Sequence, residues 1–232
     1  MTPRALPATA TDLRGADWYG ADLSGQDHTG VALSGVDLTE ATGAGVVFTD
    51  CTFHDCRFNL AGFTDAAFVN CTFTGCSFFA ATLADCKLVG AVFDRCSFDQ
   101  LTVTGGDWSF ATLPGADLRR ATFTGVRLRE ADLTRVHAAG AALRDVDLSG
   151  AELHEADLTG ADLRGSDLSA LDPREARLSG ARIDLAQAVV LVTALGLRVG
   201  DDASEQPGEG RLSPGRGAPR QVVSRRHGPA GY

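Results

Sequence analysis

The sequence predicts an all-β solenoid closed by a short C-terminal α-helix. Three observations carry this reading. Large apolar residues recur at every fifth position from Leu13 to Ile183, glycine recurs two places after them, and the register never slips. Of the 35 positions in the series, only His28, Gly43, Ala138 and Pro173 are not Leu, Phe, Trp, Val or Ile. Repetition of this kind decides the fold before propensity does.

A period of five is wrong for a helix, which needs apolar residues at spacings of three and four. It is equally wrong for a long flat strand, which alternates by two. Two places before each centre stands a small or apolar residue, usually Ala, Cys or Val, and the residue between them is often Asp. The unit therefore reads in-out-in, a very short strand, followed by two corner residues. Glycine suits the corner because it reaches positive φ without a steric cost. Equal corners make the chain coil. If each is a right angle, four pentads close one coil and residues 20 apart lie above one another. Coils then stack through ladder hydrogen bonds at about 4.8 Å.

The elements follow in chain order. Residues 1–10 are a lead-in with one arginine and no apolar core long enough for a signal peptide. The chain has no run of 18 apolar residues to span a membrane. A cytoplasmic protein is expected. Residues 11–183 form the repeat. In its middle, CTFHDCRFNLAGFTDAAFVNCTFTGCSFFA at 51–80, phenylalanine fills every centre. Phe53, Phe73 and Phe93 should form one internal column, Phe58, Phe78 and Phe98 a second, and Phe48 and Phe68 a third. The six cysteines, at 51, 56, 71, 76, 86 and 96, are separated by multiples of five and include no C-x-x-C pair. They read as free, inert, inward-facing fillers, with no metal spacing.

Residues 184–199 should form the helix, within RIDLAQAVVLVTALGLRV. Asp184 and Gln187 have the spacing of a capping box, and Gly196 is a stop. The run between them is apolar almost all round and so requires burial on more than one side. One side can cover the last coil. The other, with Leu185, Val189, Val192 and Leu195, should meet a second copy and make a homodimer. Residues 200–232, rich in Gly, Pro, Ser and Arg, are expected to be disordered.

A filled tube has no concave pocket with convergent polar groups, so catalysis is not expected. None of the five histidines lies in a nucleophile motif, and no phosphate-binding loop is present. His54 and His154 fall at corners and should face solvent; His28 falls at a centre, as part of a frayed coil or as an inward histidine with a local partner. Catalytic residue, cofactor, metal and small-molecule substrate are all expected to be none. The formal charge of −9 argues against binding nucleic acid directly. Residues 11–184 hold 26 acidic and 14 basic side chains, net −12. Asp132, Glu152 and Asp172 should share one outer column and Asp147 and Asp167 another, with Asp157 and Asp162 on the remaining faces. Periodic carboxylates on a narrow rod imitate a nucleic-acid backbone, or they only keep the repeat soluble. The charge pattern alone leaves both open.

The units ADLSG at 21–25, ADLTG at 156–160 and ADLRG at 161–165 resemble the pentapeptide repeat family. The resemblance implies a right-handed quadrilateral β-helix over 11–183. Within that family, AVFDRCSFDQLTV at 91–103, VRLREADLTRV at 126–136 and LSGARIDLAQAVVLVTALGL at 178–197 resemble the MfpA-type fluoroquinolone-resistance proteins of actinobacteria. The unbroken register fits that subgroup, because the related Qnr proteins carry loops that break it. The resemblance implies a DNA-mimicking homodimer that binds DNA gyrase and protects it from quinolones or a natural topoisomerase poison. Inhibition of supercoiling is a further implied activity. The tail beyond 200 is longer than the subgroup's pattern. A scaffolding rod that binds another protein is the alternative. Nearly nine coils at about 4.8 Å give a rod of about 42 Å, and a dimer of about 80–90 Å.

Overall fold

In a computed structural model, residues 11–200 are described. The lead-in of 1–10 and the tail from 201 onward, expected to be disordered, lie outside the described residues. Residues 11–183 form a quadrilateral parallel β-helix of the predicted kind. Every pairing joins residues 20 apart: Leu33 pairs with Phe53, Phe53 with Phe73, and Phe73 with Phe93. Three-residue strands build a five-stranded sheet on the first face, from Asp12–Arg14 to Val92–Asp94. A six-stranded sheet occupies the third face, from Thr42–Ala44 to Ala142–Arg144. Three strands occupy the fourth, Asp27–Thr29, Val47–Thr49 and Ala67–Val69. The second face is held by single bridges, such as Asp37 with Arg57 and Asp157 with Arg177.

The core is the predicted stack. Phe73 lies between Phe53 and Phe93 at ring-centroid distances of 4.7 and 4.9 Å. Phe58 and Phe78 are 4.8 Å apart, Phe78 and Phe98 5.6 Å, and Phe48 and Phe68 5.2 Å. Rings within a column are nearly parallel, while neighbouring columns meet edge-on, as Phe53 and Phe58 do at 63°. Offset stacks and edge contacts both suit the ring quadrupole.

The exceptions in the series have local explanations. His28 points inward, stacks on Phe48 at 4.7 Å and bonds the Gln26 side chain at 3.2 Å. Burial lowers its pKa, so the ring is neutral at pH 7. Gly43 leaves room for a neighbour: a Cβ there would lie 2.7 Å from Val46 Cγ1 and 2.9 Å from the Phe63 ring. Pro173 ends the ladder on the first face. The chain closes a helical turn, with Ala176 N–H donating to the Asp172 carbonyl at 3.2 Å.

Two features were not visible in the sequence. Corners do not require glycine: among the described residues 15 others hold positive φ there. The cysteines are all free, as expected, but they are more than filler. Each thiol donates to the carbonyl 23 residues earlier, as Cys76 does to Phe53 at 3.4 Å and Cys96 to Phe73 at 3.4 Å. Ser166 makes the same bond to Leu143, at 2.7 Å. Cys96 is only partly buried, unlike the other five.

The helix, α1, runs Leu185–Ala194 inside the 184–199 segment, with the capping box formed in both directions. Gly196, at φ 85°, ends it. Gln187 and Leu191 are its buried residues. The Gln187 amide also donates to the Leu163 carbonyl at 2.6 Å and the Ser166 carbonyl at 2.7 Å. It thus pairs the Ser166 carbonyl, which has no coil above it, and adds a second donor to the Leu163 carbonyl, which already accepts from Ser166 N–H at 3.1 Å.

Candidate functional site: an acidic surface and an apolar helix

The repeat converts sequence spacing directly into surface position. Asp132 sits at the middle of the first face, held by a bond from Thr134 N–H at 3.0 Å. Glu152 pairs with it in register one coil further on. Asp147 and Asp167 pair likewise on the fourth face. Among the described residues Asp132, Glu152 and Asp167 have no ion-pair partner, and neither has Glu130 at the corner between these two faces. Carboxylates with no counter-charge project the strongest field, above all in the low salt where screening is weak.

The other predicted acids are partly or wholly neutralised. Asp147 lies 3.2 Å from Arg129. Burial alone would raise its pKa, but bonds from Ser149 and the charges of Arg129 and Arg127 leave it lowered. Asp157 has Arg177 at 3.9 Å. Asp162 is a correction: it is only 8% exposed and is gripped by Arg144 and Arg164. Bonds from Arg164 and Arg144 hold its carboxyl far below the usual range, despite the opposing effect of burial. Asp162 ties two coils together and presents no charge to a partner. Asp172 is a second correction. The turn at Pro173 removes it from bridge register with Glu152, and Arg174 stands 3.9 Å away. It still lines one shallow hollow, about 240 Å³, with Glu152, His154 and Glu175. His154 bonds Glu175 at 3.1 Å, and this bond with the charges of Glu175 and Glu155 raises its pKa.

A further acidic block was missed. Residues 11–50 hold seven acidic side chains and a single arginine, Arg14. Asp17, Asp22, Asp27, Glu40 and Asp50 among them are exposed. The signal was available in the segment-by-segment charge, which the total of the whole rod conceals. Residues 101–140 reverse it, with five arginines against four acids. Alternating signs bridge coils here, as between Asp107 and Arg127 at 3.9 Å.

On α1 Leu185 is 83% exposed and Val189 40%, and Leu195 at its C-cap is 43% exposed. Val192, expected to join them, is partly buried, and Val190 is exposed in its place. The helix keeps a wide apolar arc toward solvent. It is too short to cross a membrane. The described residues hold no cluster of His, Cys, Asp and Glu arranged for a metal ion.

A five-residue unit, parallel pairing at an offset of 20 and an apolar stacked core define a repeat protein of the β-solenoid class. The chain belongs to the pentapeptide repeat family. The pattern described as a pentapeptide repeat region matches residues 46–123, and pentapeptide repeats in eight copies match 9–42 and 131–169. Among solved structures it is similar to two trypsin-treated variants of QnrB1, described as a plasmid-mediated fluoroquinolone resistance protein. One is 26% identical with a TM-score of 0.61, covering 82% of this chain and 98% of that one. The other is 25% identical with a TM-score of 0.62, covering 83% and 98%. Full-length QnrB1 shares the fold at 24% identity and a TM-score of 0.59, over 81% and 98%. No curated protein sequence matches.

Proposed function

We propose that this protein is a DNA mimic that binds DNA gyrase. It protects the enzyme from quinolones or from a natural topoisomerase poison, and it inhibits supercoiling in doing so. The observation that carries the reading is the group of unpaired carboxylates on two adjoining faces, Asp132 and Glu152 one coil of about 4.8 Å apart, with Asp167 and Glu130 beside them. The likeness, over 82% of this chain, to a fluoroquinolone resistance protein directs the reading to the target of those drugs. The chain acts by occupying a basic channel and carries out no chemistry. The rod does not bind nucleic acid itself, because a surface of this sign repels phosphates. The exposed arc of α1 joins two rods, so the assembly follows a two-fold enzyme. The site of action is the cytoplasm, where gyrase works.

The deciding experiment is a gyrase supercoiling assay with and without ciprofloxacin. Inhibition at high protein and rescue of supercoiling from the drug at lower protein are expected. No effect of the full chain on either arm sinks the reading and leaves a scaffolding rod for another protein.

A further inference from the structure

Among the described residues fifteen non-glycine residues turn corners at positive φ, and most are polar or charged. Only two are large and apolar: Leu60 at φ 59° and Phe110 at φ 62°. Each is also more than half exposed, 52% and 53%. Neither choice helps the fold. Left-handed backbone disfavours a bulky L-residue, and glycine or asparagine would occupy the corner more easily. An exposed apolar side chain gains nothing from burial. A residue unfavourable on both counts points to a role outside folding.

Position separates the two. Leu60 lies at the corner between the second and third faces, beside Phe79. Phe110 lies at the corner between the fourth face and the first, in the column that continues to Glu130. Its N–H donates to the Arg129 carbonyl at 2.9 Å. It walls an open groove of about 780 Å³ with Val89, Asp107, Arg127 and Arg129. Glu130, which also lines the groove, and Asp132 begin the unpaired acidic surface one coil further on. The apolar point and the carboxylates are therefore continuous.

We propose that Phe110 is the apolar anchor of the partner surface. It seats against an aliphatic side chain among the lysines and arginines of a basic, DNA-binding protein groove. This rests on the gyrase reading and deepens it. Charge attraction speeds encounter and fades with salt, and any polyanion could supply it. An aromatic anchor supplies affinity that salt does not screen and selects one partner among basic proteins.

The test compares the full-length parent with Phe110→Gly, Phe110→Asn and Leu60→Gly, by thermal melting and by gyrase affinity at three salt concentrations. Both Phe110 variants should melt at or above the parent, because the corner is relieved. Their Kd for gyrase should rise about tenfold or more at every salt concentration, with the slope of log Kd against log salt unchanged. Leu60→Gly should bind as the parent does. If the parent binds and Phe110→Gly binds equally well, the anchor is wrong while the gyrase reading stands. If Leu60→Gly loses as much as Phe110→Gly, the anchor is also wrong. If the parent binds gyrase at no salt concentration, the gyrase reading fails and the anchor fails with it.

Discussion

Phe73 shows how much one side chain carries in a tube this narrow. It is 1% exposed and stacks on both sides along its column. Truncation to alanine should cost about 3–5 kcal/mol, the usual range for a large aromatic in a core. Phe73→Asp should prevent the middle coils from folding, since no partner exists for a buried charge. Circular dichroism and thermal melting report both, and an unchanged melt for Phe73→Asp would contradict the register. The thiols offer a gentler probe. Burial pushes Cys86 up to about 11, so native protein should label slowly there, and partly buried Cys96 should label first. A stable intramolecular disulfide, or rapid labelling of all six, would contradict the packing. His154 has a pH-dependent consequence. Its pKa is raised by Glu175 and Glu155, so its favourable interaction is complete at low pH and lost as pH rises through the raised value. The added positive charge beside Glu152 should weaken binding to a basic partner as pH falls, and His154→Gln should remove that dependence. The columns were legible at this scale because a period of five allows only one inward series. The thiol bonds were not, because their acceptors lie 23 residues away and depend on how coils superpose.

At the scale of the element, α1 carries two jobs on two arcs. The capping box was legible from Asp184 and Gln187 alone, since both groups belong to one helical turn. The second use of Gln187 was not, because the Leu163 and Ser166 carbonyls are brought to it by the last coil. Gln187→Leu keeps the bulk, leaves the Ser166 carbonyl and the Asp184 N–H unpaired, and leaves the Leu163 carbonyl with its Ser166 N–H donor alone. A loss of about 1–3 kcal/mol for each group that stays buried is the expected scale. Hydrogen exchange should locate the loss in the final coil; protection there equal to the parent's would show that the amide does not stabilise the end. The opposite arc is tested by Val189→Asp. Sedimentation should show monomers while circular dichroism stays unchanged, and a persistent dimer would place the contact elsewhere. Val192 is the less clean choice, because it is partly buried and an acid there would also disturb the helix's own packing.

For the molecule as a whole, fold and site differ in how openly the sequence states them. A fixed register places every Asp on a known face, so Asp132 and Glu152 could be set in one column from the spacing alone. Whether a carboxylate is free could not be read that way. Asp162 is neutralised by Arg144 across one coil and by Arg164 beside it, and Asp172 leaves its column through a proline turn. The informative charge variant is therefore Asp132→Asn, Glu152→Gln and Asp167→Asn together. It removes three free charges without breaking an ion pair. Fold and dimer should persist, and inhibition of gyrase should weaken and lose part of its salt dependence. Equal inhibition by the triple variant at every salt concentration would show that these faces do not meet the enzyme.

The offset of 20 without insertion has a further consequence: reach and azimuth are separate, stepwise quantities in this rod. A duplicated stretch of 20 residues, Ala81–Gln100 placed again after Gln100, would advance everything beyond it by one rung of about 4.8 Å. The later coils would keep their facing. A duplicated pentad, Cys96–Gln100, would instead swing all later residues round to the next side of the square while barely lengthening it. Both chains should fold, because each insertion supplies its own inward pair. Asp132, Glu152, Asp167 and α1 all lie beyond the insertion and turn as one block, so both insertions should retain inhibition; loss with the pentad insertion alone would show that gyrase also reads the acidic residues of 11–50 in fixed orientation to that block.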